Sequence, residues 1–364
     1  MLGRSDAAEQ RFVRESLLAL GSERPGLREA ARAVRNWDRV LAIAAAGSVA
    51  ESIWSGVSLR GLEEEIPEPA RSVFQEAHAG ATARNALLLS EAAEVQAAFT
   101  AAGIESVILK GPGLLVAHYP DIGARHVADV DILVREGDVA RAEEVARALG
   151  TTSMPVKLLA YGPEEPVWNH IHAPPLRTGR GVVLEIHDRV PGGASDGSDF
   201  SGALERSRTA QWQGRQLRIP SPADLAVVAC VHVFVFHLGA ETFLLRHLAD
   251  LAVIFGSGAT DWEEVAAKAP RDEGDLALRA SRRLLVTESP AFLEAWRDVT
   301  ALRIASWTRT FAREGGSIHA AVRMLFPTRS FMASRYDLHP QSRLIPVLYL
   351  WRPVRGLWAL LTGR

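Results

Sequence analysis

The chain has 364 residues, 48% of them hydrophobic, with 41 basic and 43 acidic side chains for a formal net charge of −2. That length exceeds one average domain and allows a substantial core, while a near-neutral charge excludes the overall basic field of a generic nucleic-acid coat. Cys230 is the single cysteine, which excludes an intramolecular disulfide and a cysteine-based zinc cage and points to a reducing cytoplasm.

Residues 5 to 100 are rich in alanine, leucine, glutamate and arginine at helical spacing, broken at Pro25-Gly26 and by an acidic connection from Glu63 to Pro69. The start of the chain lacks the apolar stretch of a secretory leader. The last front helix, from Pro69 to Ala102, is expected to end at Gly103. A short strand from Glu105 to Leu109 then runs into Lys110-Gly111-Pro112-Gly113 and a helix to about His118. After the turn Tyr119 to Gly123 comes a strand with Asp129-Val130-Asp131, then a helix from Asp138 to Leu149 closing at Gly150. Gly181 to His187 alternates again, with Val182, Leu184 and Ile186 on one face and Val183, Glu185 and His187 on the other.

Trp212 to Ile219 reads as a hairpin around Gly214, and Ser221-Pro222-Ala223-Asp224 opens a helix with an N-cap, a proline at the first position and an acid at the third. The longest apolar run, Leu225 to Leu238, is too short to span a bilayer and carries His232 and His237, so it is expected as a buried helix with satisfied core histidines. From Leu302 to Arg364 the only acids are Glu314 and Asp337 against ten arginines, Arg352 and Arg355 among them: a basic tail on a neutral protein.

Asp129 and Asp131 carry the strongest chemical signal. Alternation along a strand sets both carboxylates on one face and Val130, Ile132 and Val134 on the other. Two ionised carboxylates about 5 Å apart repel by roughly 3 kcal/mol at an effective dielectric near 20, so the pair calls for a cation or a captured proton. Hard oxygen ligands favour Mg2+ or Mn2+. Glu185 is offered as a third carboxylate.

Taken together, Leu109-Lys110-Gly111, Tyr119-Pro120, Arg125 four residues before Asp129-Val-Asp131-Ile-Leu-Val134, and Leu184-Glu185-Ile186-His187 resemble the bacterial uncharacterised nucleotidyltransferase family of the nucleotidyltransferase-fold superfamily. The resemblance implies an α+β fold: a small mixed β-sheet nucleotidyltransferase core at 103–219, between a helical N-terminal region at 1–102 and a helical C-terminal region with the basic tail at 220–364. It implies transfer of a nucleoside monophosphate from a nucleoside triphosphate (NTP) to a hydroxyl-type acceptor, with Asp129, Asp131 and Glu185 holding two metal ions and Glu185 nearest the acceptor's proton. Lys110, Gly111 and Gly113 would receive the triphosphate at a helix start, and Arg125 would clamp a phosphate or pair with a surface acid. Many superfamily members carry Gly-Ser or Gly-Gly at that first turn; here the phosphate-gripping hydroxyl is absent.

Two other readings stand beside this one. His170, His172 and His187 with Glu185 have ligand types suited to zinc, iron or nickel. Alternatively, the acids bind ions without turnover in a nucleotide-binding or scaffold protein. The acceptor is open among a small molecule, a peptide or protein, and tRNA drawn by the basic tail; that tail, with Trp351 and Trp358, would equally suit a membrane surface or ordinary packing.

Overall fold

The computed structural model describes residues 7–154, 173, 175–188, 202–236, 241–256, 258, 260–269, 273–286 and 343–351. Five helices lead: α1 (Ala7–Leu18), α2 (Leu27–Ala33), α3 (Trp37–Gly47), α4 (Ala50–Ser58) and the long α5 (Ala70–Ala101). α5 stops where expected because Gly103 takes the left-handed conformation, φ +71°, that ends helices at little steric cost.

Next come β1 (Ser106–Ile108), α6 (Lys110–His118), β2 (Asp129–Val134), α7 (Val139–Ala148), β3 (Thr152–Ser153), β4 (Leu176–Arg177) and β5 (Val183–His187). The five strands form one mixed sheet in the order β1-β2-β5-β4-β3. β2 is central: it pairs antiparallel with β1 and parallel with β5. The fold is α+β, as the resemblance implied. β3 and β4, two residues each, are too short to show alternation in the sequence.

After α8 (Gly202–Glu205), the hairpin β6 (Arg208–Trp212) and β7 (Arg215–Ile219) starts four residues earlier than expected. Gln213 and Gly214 both have positive φ, which suits the two-residue turn that matches strand twist. α9 (Pro222–Val231) begins on Ser221, whose hydroxyl accepts from the Asp224 amide at 3.2 Å. It passes into a π-helical turn, His232–Phe236, and is followed by α10 (Glu241–Gly256), α11 (Trp262–Lys268) and α12 (Glu273–Val286).

One buried apolar set is continuous from Phe12 to Leu284. It covers both faces of β2, where Val130, Ile132 and Val134 are buried on one side and Leu133 on the other. The loop between α6 and β2 is tied down by polar bonds. Asn85 of α5 donates to the carbonyls of Ile122 and Arg125 at 2.6 and 2.7 Å, and Ser52 of α4 donates to that of Ala124 at 2.8 Å. The front helices thus fix the entry to the Asp-x-Asp strand. Among the described residues no single helix is long and apolar enough to cross a membrane.

Candidate active site

The parallel pairing of β2 with β5 sets Asp131 opposite Glu185, Asp129 opposite Val183 and Leu133 opposite His187. Alternation therefore turns Asp129, Asp131, Glu185 and His187 to one face of the sheet. Asp131 lies deepest, 1% exposed, while Asp129 and Glu185 are half-buried. Lys110 Nζ donates to Asp131 Oδ1 at 2.6 Å, and His187 Nε2 meets the same oxygen at 2.7 Å and Glu185 Oε2 at 3.6 Å. With carboxylates on both sides, that imidazole nitrogen serves as a donor.

The charges are distributed unevenly. Burial alone would raise the Asp131 pKa, yet Lys110 and His187 outweigh it and hold the group well below the usual carboxylate range. Asp129 goes the other way: burial, then Asp131 and Glu185, push it up to about 6. Burial opposes the charge on Lys110 and on His187, but the neighbouring carboxylates raise both pKa values. The site is short of positive charge.

Lys110 sits at the turn from β1 into α6 with φ +47°, a strained conformation for a residue with a Cβ and one that concentrates at functional sites. The Leu109 amide donates to the Asp131 carbonyl at 2.9 Å, which fixes this turn against β2. Gly111 and Gly113, expected beside a triphosphate, are buried. A Cβ on Gly111 would stand 2.8 Å from an Arg125 nitrogen, and one on Gly113 would stand 2.7 Å from the Ile108 carbonyl oxygen. Close packing of α6 on the sheet is the visible reason for both glycines.

Arg125 pairs with an acid, but a buried one. Its Nε and Nη2 donate to the two oxygens of Asp250 at 2.7 and 3.0 Å, and Nη1 donates to the His126 carbonyl at 3.0 Å. Tyr119 adds its hydroxyl to Asp250 at 2.6 Å. Burial works against the Arg125 charge, but Asp250 more than restores it; against burial in turn, Arg125 holds the Asp250 carboxyl below its usual range. This unit joins the loop before β2 to α10. Asp250, 125 residues away in sequence, has no local signal that ties it to Arg125.

The donor set suits a divalent cation. Asp131 Oδ2 is buried with no hydrogen-bond partner among the described residues, and oxygens of that kind call for an ion or water. One ligand atom each from Asp131, Glu185 and His187 lies within 4.8 Å of the others, with Asp129 close enough to feel both acids. Carboxylate oxygens favour Mg2+ or Mn2+. Ligation by His187 Nε2 would require giving up its bond to Asp131. That bond was not foreseen, since only the register of β5 on β2 reveals it. His170, His172 and His237 lie outside the described residues, as do Arg352 and Arg355; His232, expected in the core, is half-buried at the edge of a cleft.

Residues 33–286 match the family described as uncharacterised nucleotidyltransferase. The match covers well over half of the chain, and the protein belongs to that family. No curated protein matches the chain significantly.

Proposed function

We propose that the protein is a metal-dependent nucleotidyltransferase that moves a nucleoside monophosphate from an NTP to a hydroxyl-type acceptor and releases pyrophosphate. The observation that carries this reading is the juxtaposition of Asp131 and Glu185 on neighbouring strands, with Asp129 on the same face and Lys110 on Asp131. Family membership supports the class of reaction.

Asp129, Asp131 and Glu185 would hold the divalent ions. When bound, such ions neutralise the triphosphate and stabilise charge on the entering and departing oxygens. In the transfer, an acceptor oxygen forms a bond to the α-phosphorus as the bond from that phosphorus to the α,β-bridging oxygen breaks. The acceptor's proton passes to a carboxylate, for which Glu185, the more open partner of the Asp131 pair, is placed best. Pyrophosphate leaves with the bridging oxygen, its charge met by Lys110. His187 holds Asp131 in one orientation by donating to Oδ1, leaving Oδ2 for the cation.

The acceptor is a small molecule, a peptide or protein, or tRNA. Incubation of the protein with each α-labelled triphosphate, Mg2+ and cell extract tests the reading. Label is expected in one acceptor class and only in the absence of chelator. Absence of label with every triphosphate would favour a binding protein without turnover.

A further inference from the structure

Near the end of the described residues, 345–351 form a helical stretch that is apolar on both of its faces. Ile345 is fully buried, and Leu348 and Tyr349 are half-buried at the i, i+3, i+4 spacing of an inward face. Val347, Leu350 and Trp351 repeat that spacing on the opposite side, where they are 59%, 75% and 54% exposed. Clustering sets them apart. Among the described residues eight large apolar side chains stand exposed, and four of them fall within positions 344–351, while Leu59, Val73, Leu149 and Val286 lie far apart in sequence. Single exposed apolar side chains need no explanation, whereas a contiguous group marks a surface that something covers.

The charge around this face has one sign. Arg343, exposed, precedes the stretch and Arg352 follows Trp351 in sequence; from Leu338 to Arg364 there are four arginines and no acid. Aliphatic side chains and a tryptophan bordered by arginines suit the headgroup region of an anionic bilayer, where the apolar groups leave water and the guanidinium groups meet lipid phosphates. A second copy of the chain suits the face less well, since pairing it with itself brings like-charged arginines together. RNA suits it less well too, because valine and leucine offer no ring on which a base can stack. The seven helical residues span about 10 Å, a third of a bilayer's hydrocarbon core, and an arginine comes next, so this stretch lies on a membrane and does not cross it.

We propose that Val347, Leu350 and Trp351, with Arg343 and Arg352 beside them, form a docking surface for an anionic lipid bilayer, on which the protein sits peripherally. Two contributions reinforce one another. The apolar side chains enter the boundary between headgroups and acyl chains and give an attraction indifferent to lipid charge, while the arginines add an electrostatic attraction that salt screens. Neither involves the carboxylate centre, so the inference stands apart from the nucleotidyltransferase reading.

The test is co-sedimentation of the full-length protein with vesicles of phosphatidylcholine alone and of phosphatidylcholine mixed equally with phosphatidylglycerol. The wild type should partition onto the anionic vesicles roughly tenfold or more better than onto the neutral ones, and salt raised to about 0.5 M should remove most of the difference. Leu350→Ser combined with Trp351→Ser should lower partitioning onto anionic vesicles by about tenfold or more, with thermal unfolding unchanged because both side chains are exposed. Arg343→Gln combined with Arg352→Gln should lower it by about 25-fold, about fivefold for each charge, and leave neutral vesicles unaffected. A wild-type protein that binds neither vesicle, or both equally, would overturn the proposal, as would undiminished binding after the Leu350 and Trp351 changes. Self-association or RNA binding that those two changes abolish, in a protein that ignores vesicles, would assign the face to that partner and overturn it as well.

Discussion

Replacing Lys110 by methionine removes the cation 2.6 Å from Asp131 Oδ1 while keeping most of the side-chain volume. Asp131 is 1% exposed and Lys110 15%, so the pair is shielded from water and salt. Loss of one partner of a buried ion pair typically costs about 3–5 kcal/mol. His187, 2.7 Å from the same oxygen, still donates, which places the expected loss near the lower end, about 3 kcal/mol. The positive φ at this position is equally strained in lysine and methionine, so backbone effects cancel.

The loss should depend on pH and on metal. Asp131 has a depressed folded pKa, so its stabilising contribution is complete above the unfolded value near 3.9 and is lost as pH falls below it. The gap between wild type and Lys110→Met should therefore be widest near neutrality and narrow in acid. Denaturant unfolding in chelator measures the gap; repeating it with saturating Mn2+ should shrink it, because a divalent cation on the same carboxylates replaces the missing charge. A gap of the same size with and without Mn2+ would refute the placement of a cation at Asp131.

Other outcomes follow from the same geometry. His247, buried and neutral with a folded pKa near 4 against an unfolded value near 6.5, contributes stability that is intact above pH 6.5 and falls toward pH 4 by roughly 3 kcal/mol; unfolding across that interval should show the slope, and His247→Asn should flatten it. Arg125→Met should cost about 3–5 kcal/mol by stranding Asp250, and Asp250→Leu in the same chain should recover part of that loss; simple additivity of the two would contradict a buried pair. Protein purified without chelator should carry no stoichiometric zinc, iron or nickel, whereas a full equivalent would favour His187 as a ligand over its role as a donor to Asp131.

The central part of the fold was legible because its signals are local. Strand alternation alone put Asp129 with Asp131 and Glu185 with His187, and the turns at Gly103 and Gly214 followed from glycine's freedom at positive φ. What remained hidden depends on contacts distant in sequence. Nothing near Arg125 announces Asp250, and nothing near His187 announces its bond to Asp131. Gly111 and Gly113 suggested room for phosphate, while the structure shows close packing, an ambiguity inherent in a residue defined by a missing side chain. The π-turn at His232 had no marker because an apolar run looks the same whether its helix stays regular or widens.

The most direct test of the carboxylate centre is nucleotide transfer by Asp131→Asn. The change preserves shape and leaves Lys110 and His187 an oxygen to meet, so thermal unfolding in the presence of chelator should stay cooperative. Transfer from the α-labelled triphosphate that the wild type uses should fall by at least a thousandfold, about 4 kcal/mol of lost transition-state stabilisation, and Mn2+ binding should weaken with it. Asp131→Asn protein that transfers label at the wild-type rate would contradict the account.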